Sequence, residues 1–233
     1  MSQLDPLPIN PSVTRVLLTY IRAAKYVDQS ELEQKLCVIC DELGVPPASL
    51  DEVVHHLNHT ISFSGFKIDR CLDEVSNTLV YAFVNSSSIS TQVDKTLSRF
   101  KVSDLEIIKF IIDEVFVNDY HANVDSLVNS LLIKHHVSRT SKELRGLISK
   151  LINLGYFEVE RNFLVGTARL LMELRSYLNK YQLAKCATCD NIVTRGVQVE
   201  TRQFHYKCFD IYKRSNDVDP TQWTYIGLQV ART

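Results

Sequence analysis

The sequence predicts a mainly α fold with small β wings: two tandem winged-helix domains followed by a C-terminal zinc module. Three observations carry this. Apolar residues recur at helical spacing in three consecutive blocks and then change to the pattern of short strands, and the whole succession occurs twice. Helix starts are marked by Ser or Thr with Glu three residues on, at Ser30…Glu33, Ser49…Glu52, Ser103…Glu106 and Thr140…Glu143. Near the C-terminus the chain reads Cys186-Ala-Thr-Cys189 and then His205-Tyr-Lys-Cys208, a C-x2-C-x15-H-x2-C spacing.

In the first copy, Pro11 sits where a first helical turn accepts it, and Val13, Val16, Leu17, Tyr20, Ile21 and Ala24 line one face of a helix over 11–25. A second helix starts near Glu31 and stops near Gly44. A third, over 50–61, carries Val53, Val54, Leu57 and Ile61. Segments 66–71 and 78–84 then read as two strands around a polar turn.

The second copy repeats the order. Leu105, Ile108, Ile111, Ile112 and Val115 mark a helix over 104–117; further helices are expected over 124–133 and 141–154, the latter ending at Gly155. Segments 156–160 and 163–165 form a hairpin around Arg161-Asn162, and a last helix over 167–182 leads to the cysteines. The domain boundaries expected are 1–95, 96–182 and 183–233, with a linker over 86–101 between the winged helices. A single mixed helical domain is the competing organisation.

Composition narrows the function classes. A chain of 233 residues that is 45% hydrophobic and 23% charged is an ordinary globular one, and a net charge of −1 gives no global pull towards nucleic acid or membrane. No apolar run approaches the roughly 20 residues of a membrane helix, and the segment 1–10 is polar and Pro-rich, unlike a signal peptide. Six cysteines, four of them in close pairs, suit metal binding in a reducing compartment.

Cys186, Cys189, His205 and Cys208 are therefore the expected metal ligands. Two close pairs of soft or borderline donors supply the four positions of one tetrahedral zinc, and a closed four-ligand site is structural. The other C-x2-C, Cys37 and Cys40, falls within a helix, where it cannot form a knuckle. His55 and His59 stand one helical turn apart, but no third ligand or base accompanies them, so they read as surface residues. His135 and His136 read the same way. No Gly-rich phosphate loop and no G-x-S-x-G elbow is present. The third helix of the first copy, rich in Asp, Glu and His, is poorly suited to phosphates. In the second copy Lys134, Arg139, Lys142, Arg145 and Lys150 cluster before and along the third helix, and Arg161 stands at the wing tip. Lys142, Arg145 and Arg161 are accordingly the candidate DNA contacts.

Paired winged helices followed by a zinc motif resemble the non-SMC element 1 family. The resemblance rests on Ala82-Phe-Val-Asn85…Ser88-Ile-Ser90, Asp104-Leu-Glu106 and the zinc segment. It implies a subunit of the SMC five–six chromosome-maintenance complex, docking a MAGE-like winged-helix subunit and a kleisin subunit to support DNA repair and recombination in the nucleus. It also implies a variant RING module with two zinc sites. Here Val199 and Arg202 stand where an intervening cysteine pair is expected, and no cysteine follows Cys208, so one zinc per chain is expected. The apolar packing of such a single-zinc module would come from Phe204, Tyr206, Phe209, Tyr212, Trp223 and Tyr225. Two other functions compete: an active RING-type E3 ubiquitin ligase that docks a ubiquitin-conjugating enzyme, and a winged-helix DNA-binding regulator.

Overall fold

Apolar spacing and the available caps account for the first helices. In this computed structural model, which describes residues 9–24, 26–86, 100–216 and 222–229, α1 (Pro11–Ala24) buries Val13, Leu17 and Ile21. Helix α2 (Gln29–Leu43) is capped by Asp28, whose carboxylate accepts from the Glu31 N–H. The expected Ser30…Glu33 box is therefore replaced. Ser30 lies inside the first turn and donates its hydroxyl to Asp28, and a carboxylate at the helix start also meets the positive end of the dipole. Gly44 ends α2 in the left-handed region at φ 60. Helix α3 (Leu50–Ile61) carries the Ser49–Glu52 capping box.

Strands β2 (Phe66–Leu72) and β3 (Leu79–Asn85) follow. A further strand, β1 (Tyr26–Asp28), pairs antiparallel with β3 and completes the order β1-β3-β2. Three residues are too few to display a period of two, so pattern reading passes over β1. Its Val27, with Ile68 and Tyr81 from the other strands, closes the core of α1, α2 and α3.

The second succession follows the same plan. Helix α4 (Val102–Val117) has Lys101 at its N-cap and no side-chain cap, so the expected Ser103…Glu106 box is absent; the Ser103 hydroxyl instead accepts from Arg139. Strand β4 (His121–Asn123) precedes α5 (Val124–Ile133), which Asn123 caps. Thr140 and Glu143 form the box that starts α6 (Ser141–Asn153). Strands β5 (Phe157–Glu160) and β6 (Phe163–Gly166) turn through Arg161 and Asn162, both at positive φ (50 and 67). Such a pair matches the twist of a two-residue hairpin. The order β4-β6-β5 reproduces that of the first sheet.

The single helix expected over 167–182 is broken into α7 (Ala168–Glu173), α8 (Arg175–Leu178) and a 3-10 turn. All six residues of α7 are buried, and the bend at Leu174 (φ −108, ψ 15) lets both Leu174 and Leu178 enter the core. The last elements are β7 (Gly196–Val199), β8 (Arg202–Phe204), α9 (Tyr206–Ser215) and β9 (Trp223–Ile226), with strand order β8-β7-β9. Their core joins Val193, Val197, Phe204, Phe209 and Ile226, with Tyr206, Tyr212 and Trp223 packed against it. Phe204 stacks on Tyr212, and Trp223 meets Tyr225 edge-on.

The described residues fall into two compact units. One comprises those within Met1–Arg70 and Leu79–Ser87, the other those within Cys71–Thr78 and Ser88–Thr233. The linker expected over 86–101 lies largely outside the described residues. Among these residues no helix is long and apolar enough to cross a membrane.

Candidate metal centre

The knuckle is a short hairpin made by the backbone. Cys186 N–H donates to Asn191 O (2.8 Å), and Asp190 N–H donates back to Cys186 O (2.9 Å). Asp190 takes a left-handed φ of 57 to close the turn. The Ala187 N–H reaches Gln203 O at 2.8 Å, which holds the knuckle against β8 two residues before His205. His205 is the N-cap of α9 and Cys208 lies in that helix's first turn. The H-x2-C spacing thus presents an imidazole and a thiol from one helix start, where the dipole favours thiolate.

The four side chains converge: their ligand atoms all lie within 4.8 Å of one another. His205 Nδ1 is 3.3 Å from Cys189 Sγ and 4.0 Å from Cys208 Sγ. Tetrahedral metal–sulfur bonds of about 2.3 Å need sulfurs roughly 3.8 Å apart, so the arrangement can hold a metal ion after small side-chain rotations. Cys186, His205 and Cys208 are buried, and Cys189 closes the cluster on its solvent side. Among the described residues this is the one such cluster.

The far side of the imidazole is fixed as well. His205 Nε2 lies 2.9 Å from Ile192 O. A carbonyl only accepts, so Nε2 carries the proton and Nδ1 is left to face the sulfurs. The carboxylate of Glu74 lies beside it, its Oε1 at 3.4 Å from Nε2, and receives the Thr194 N–H (2.7 Å) and the Thr194 hydroxyl.

Protonation follows from these contacts. Burial acts to raise the Cys186 thiol, but hydrogen bonds from His205 and from backbone N–H groups outweigh it and lower its pKa to about 5. Burial opposes charge on His205, yet its hydrogen bonds to Cys186 and Glu74 push its pKa up to about 12. Burial pushes the Cys208 thiol up to about 11. A bound cation would take the places of the protons on His205 Nδ1 and Cys208, so binding would release them.

Comparison with known proteins decides the lineage. Residues 14–150 match the family model described as Nse1 non-SMC component of SMC5-6 complex. The chain belongs to that family. Non-structural maintenance of chromosomes element 1 of Schizosaccharomyces pombe is 24% identical over 153 residues, 64% of this chain and 65% of that protein. The chain therefore aligns with less than two thirds of that relative's length. A chain of a solved Nse1-Nse3-Nse4 complex superposes with a TM-score of 0.78 over 99% of this chain and 100% of that one, at 18% identity. The fold is thus shared along the whole chain, whereas the family match stops short of the metal cluster.

For a member of the Nse1 family, the positions of the remaining sequence candidates are informative. Val199 is buried in β7, and its β-pair partner is Arg202. Both positions are spent on a hairpin rather than on ligands. Cys40 is a core residue of α2 and Cys37 faces outward; His55 and His59 are exposed on α3. His135 departs from the surface reading. It stacks on Phe110 (4.2 Å between centroids) and lies 3.0 Å from Glu114.

The basic residues of α6 and the β5–β6 turn are exposed, but acids attend them. Arg145 pairs with Asp125, which also accepts from Asn162. Arg161 lies 3.7 Å from Glu160, Arg139 pairs with Asp104, and Lys134 pairs with Glu114. Lys142 is exposed on the first turn of α6. Asp125 precedes Arg145 by 20 residues, so a scan of the helix alone does not find it. The residue that sequence reading missed at the metal centre is Glu74, a single acid in a polar turn with no pattern to single it out.

Proposed function

We propose that this chain is a zinc-bearing subunit of an SMC five–six complex, docking a MAGE-like winged-helix subunit and a kleisin subunit to support DNA repair and recombination in the nucleus. One observation carries the reading: a family match over 14–150 joined to a superposition along the whole chain on a subunit solved in an Nse1-Nse3-Nse4 complex. Each succession of three helices and a small sheet is a winged helix, 1–95 and 96–182, and 183–233 is a RING-like module. Zinc is the metal, since three thiols and an imidazole are borderline-soft donors in a closed set. One ion per chain follows from the side chains at 199 and 202, neither of which coordinates.

In this role the metal site does structural work. Cys186 and Cys189 hold the knuckle, His205 and Cys208 hold the start of α9, and the zinc joins the two so that binding free energy becomes folding free energy. The aromatic core around Phe204, Phe209 and Trp223 takes over where a second ion is lacking. Ubiquitin-ligase function and DNA contact through Lys142, Arg145 and Arg161 rank below the docking role: among the described residues the RING-like module has one candidate metal cluster, and Arg145 is already paired with Asp125.

The test is reconstitution. The chain, a MAGE-like subunit and a kleisin subunit are co-expressed, and the complex is sized by light scattering with zinc counted by elemental analysis. A stoichiometric ternary complex with one zinc per copy of this chain is expected. A chain that stays monomeric beside both partners overturns the reading. The same material, incubated with ubiquitin, activating and conjugating enzymes, reports ligase activity.

A further inference from the structure

The segment Cys71–Thr78 is separated in sequence from the metal ligands by more than a hundred residues, yet it belongs to the same compact unit. It is a tight turn, with Asp73 accepting from the Val75 and Ser76 N–H groups and Asn77 at φ 55. That turn places Glu74, whose side chain is only 7% exposed, at the metal module. A buried carboxylate is costly unless paired or hydrogen-bonded. The contacts named here all lie in the stretch between the knuckle and α9: the N–H and hydroxyl of Thr194, and Nε2 of His205.

We infer that Glu74 is a positioning residue for the metal site: an outer carboxylate that holds His205 with Nδ1 towards the ion and anchors the loop between the two ligand pairs. The inference rests on the zinc reading above and adds a residue to it. Two parts of the geometry support it. First, the imidazole is held from behind by Ile192 O at 2.9 Å and by Glu74 Oε1 at 3.4 Å. The carbonyl sets the tautomer, and the carboxylate adds negative charge on the same edge of the ring, which raises its strength as a ligand. Second, Thr194 is clamped on both sides. Glu74 takes its N–H and hydroxyl, while Gly227, at φ +65, packs so closely that a Cβ there would lie 2.0 Å from Thr194 O. The loop carrying Ile192 and Thr194 therefore cannot shift without moving the partner of His205.

Because the same carboxylate serves the turn and the ligand, the two must be linked. Whatever tightens metal binding through Glu74 also tightens the docking of residues 71–78, by the same factor in each direction.

The experiment uses the full chain loaded with zinc. Glu74→Gln, Glu74→Ala and Thr194→Val are compared with the unaltered chain and with Glu106→Gln, an exposed acid on α4. Three quantities are read: zinc retention against a chromophoric chelator, the visible absorption of the cobalt-substituted protein, and amide exchange over 71–78 with and without zinc. Loss of an outer partner of this kind costs about 10–100-fold in metal affinity. That range is expected for Glu74→Ala, with a smaller loss for Glu74→Gln, which keeps one of the two acceptor oxygens but not the charge. The cobalt band should move in both, and zinc removal should speed exchange over 71–78.

Retention within twofold of the unaltered chain together with an unmoved cobalt band, in Glu74→Gln as well as Glu74→Ala, overturns the inference. So does a Glu74→Gln protein that behaves as unaltered while Glu74→Ala fails to fold, since packing alone then explains the residue. Should the unaltered chain itself hold no zinc, the metal reading falls, and this is seen before any variant is made.

Discussion

Arg169 is the most exacting place to perturb the second unit. Its Nε donates to Glu173 Oε1 at 2.6 Å, its Nη1 donates to Leu154 O at 2.5 Å, and its guanidinium lies 4.7 Å from the Tyr156 ring centroid. The Tyr156 hydroxyl donates to the other Glu173 oxygen at 2.9 Å. Both charged side chains are buried, at 8% and 7% exposure. Arg169→Ala removes this counter-charge from a largely buried carboxylate, and breaking a buried pair in this way costs about 3–5 kcal/mol. At about 2–4 °C per kcal/mol for a chain of this size, the melting temperature should fall by roughly 6–20 °C. The informative comparison is the triple change Arg169→Met, Glu173→Leu and Tyr156→Phe. It removes the charges and the hydroxyl together, and an apolar replacement of a buried pair is often neutral or stabilising. Most of the loss should be recovered, short of about 1 kcal/mol for the bond to Leu154 O. Urea unfolding, with amide exchange followed on α4, measures both. If the triple variant is as unstable as Arg169→Ala, volume and not charge compensation governs the site.

Three further expectations are simpler. Burial acts to raise the Glu114 carboxyl, but hydrogen bonds from Lys134 and His135 outweigh it and hold its pKa at about 2. A depressed carboxylate contributes stability that is full above its unfolded pKa near 4.5 and is lost as the pH falls towards 2; Glu114→Gln should flatten the stability–pH curve in that window. At Gly196 a Cβ would stand 2.0 Å from Phe204 O, so Gly196→Ala should part β7 from β8 and lower zinc content as well as melting temperature, whereas Gly146→Ala, in open space on α6, should be neutral or stabilise by up to about 1 kcal/mol. Chelation of the metal should abolish exchange protection in β7, β8 and α9 while sparing α4, α5 and α6, whose core of Ile108, Ile111, Ile112, Leu131 and Leu144 is separate from that of the metal module.

What could be read from the sequence were features encoded locally. The apolar stripes of the six main helices, the Ser49 and Thr140 boxes, the Arg161-Asn162 turn and the converging set of Cys186, Cys189, His205 and Cys208 each occupy a short window with its own chemical reason. The features that escaped are those set by partners far along the chain. Strands β1 and β4 are three residues each and gain their identity only from β3 and β6. Asp28 displaced Ser30 as a cap because a charged acceptor one position before the helix outcompetes a hydroxyl inside it. The helix over 167–182 broke because burial on all sides, which no period reveals, let Leu174 bend inward. Glu74 and Asp125 gave no signal because their roles depend on residues 120 and 20 positions away.

The turn around Glu74 also sets a timetable. Residues 71–78 leave the ribosome long before Thr194 and His205 exist. At about 5–20 residues per second, the 120-residue interval from Glu74 to Thr194 corresponds to roughly 6–24 s of synthesis. During that time the Glu74 carboxylate waits without the Thr194 donors, while α4, α5 and α6 already have all the residues of their own shared core. Docking of this turn on Thr194 is thus a late step, one that can only follow once Thr194 and His205 have been made.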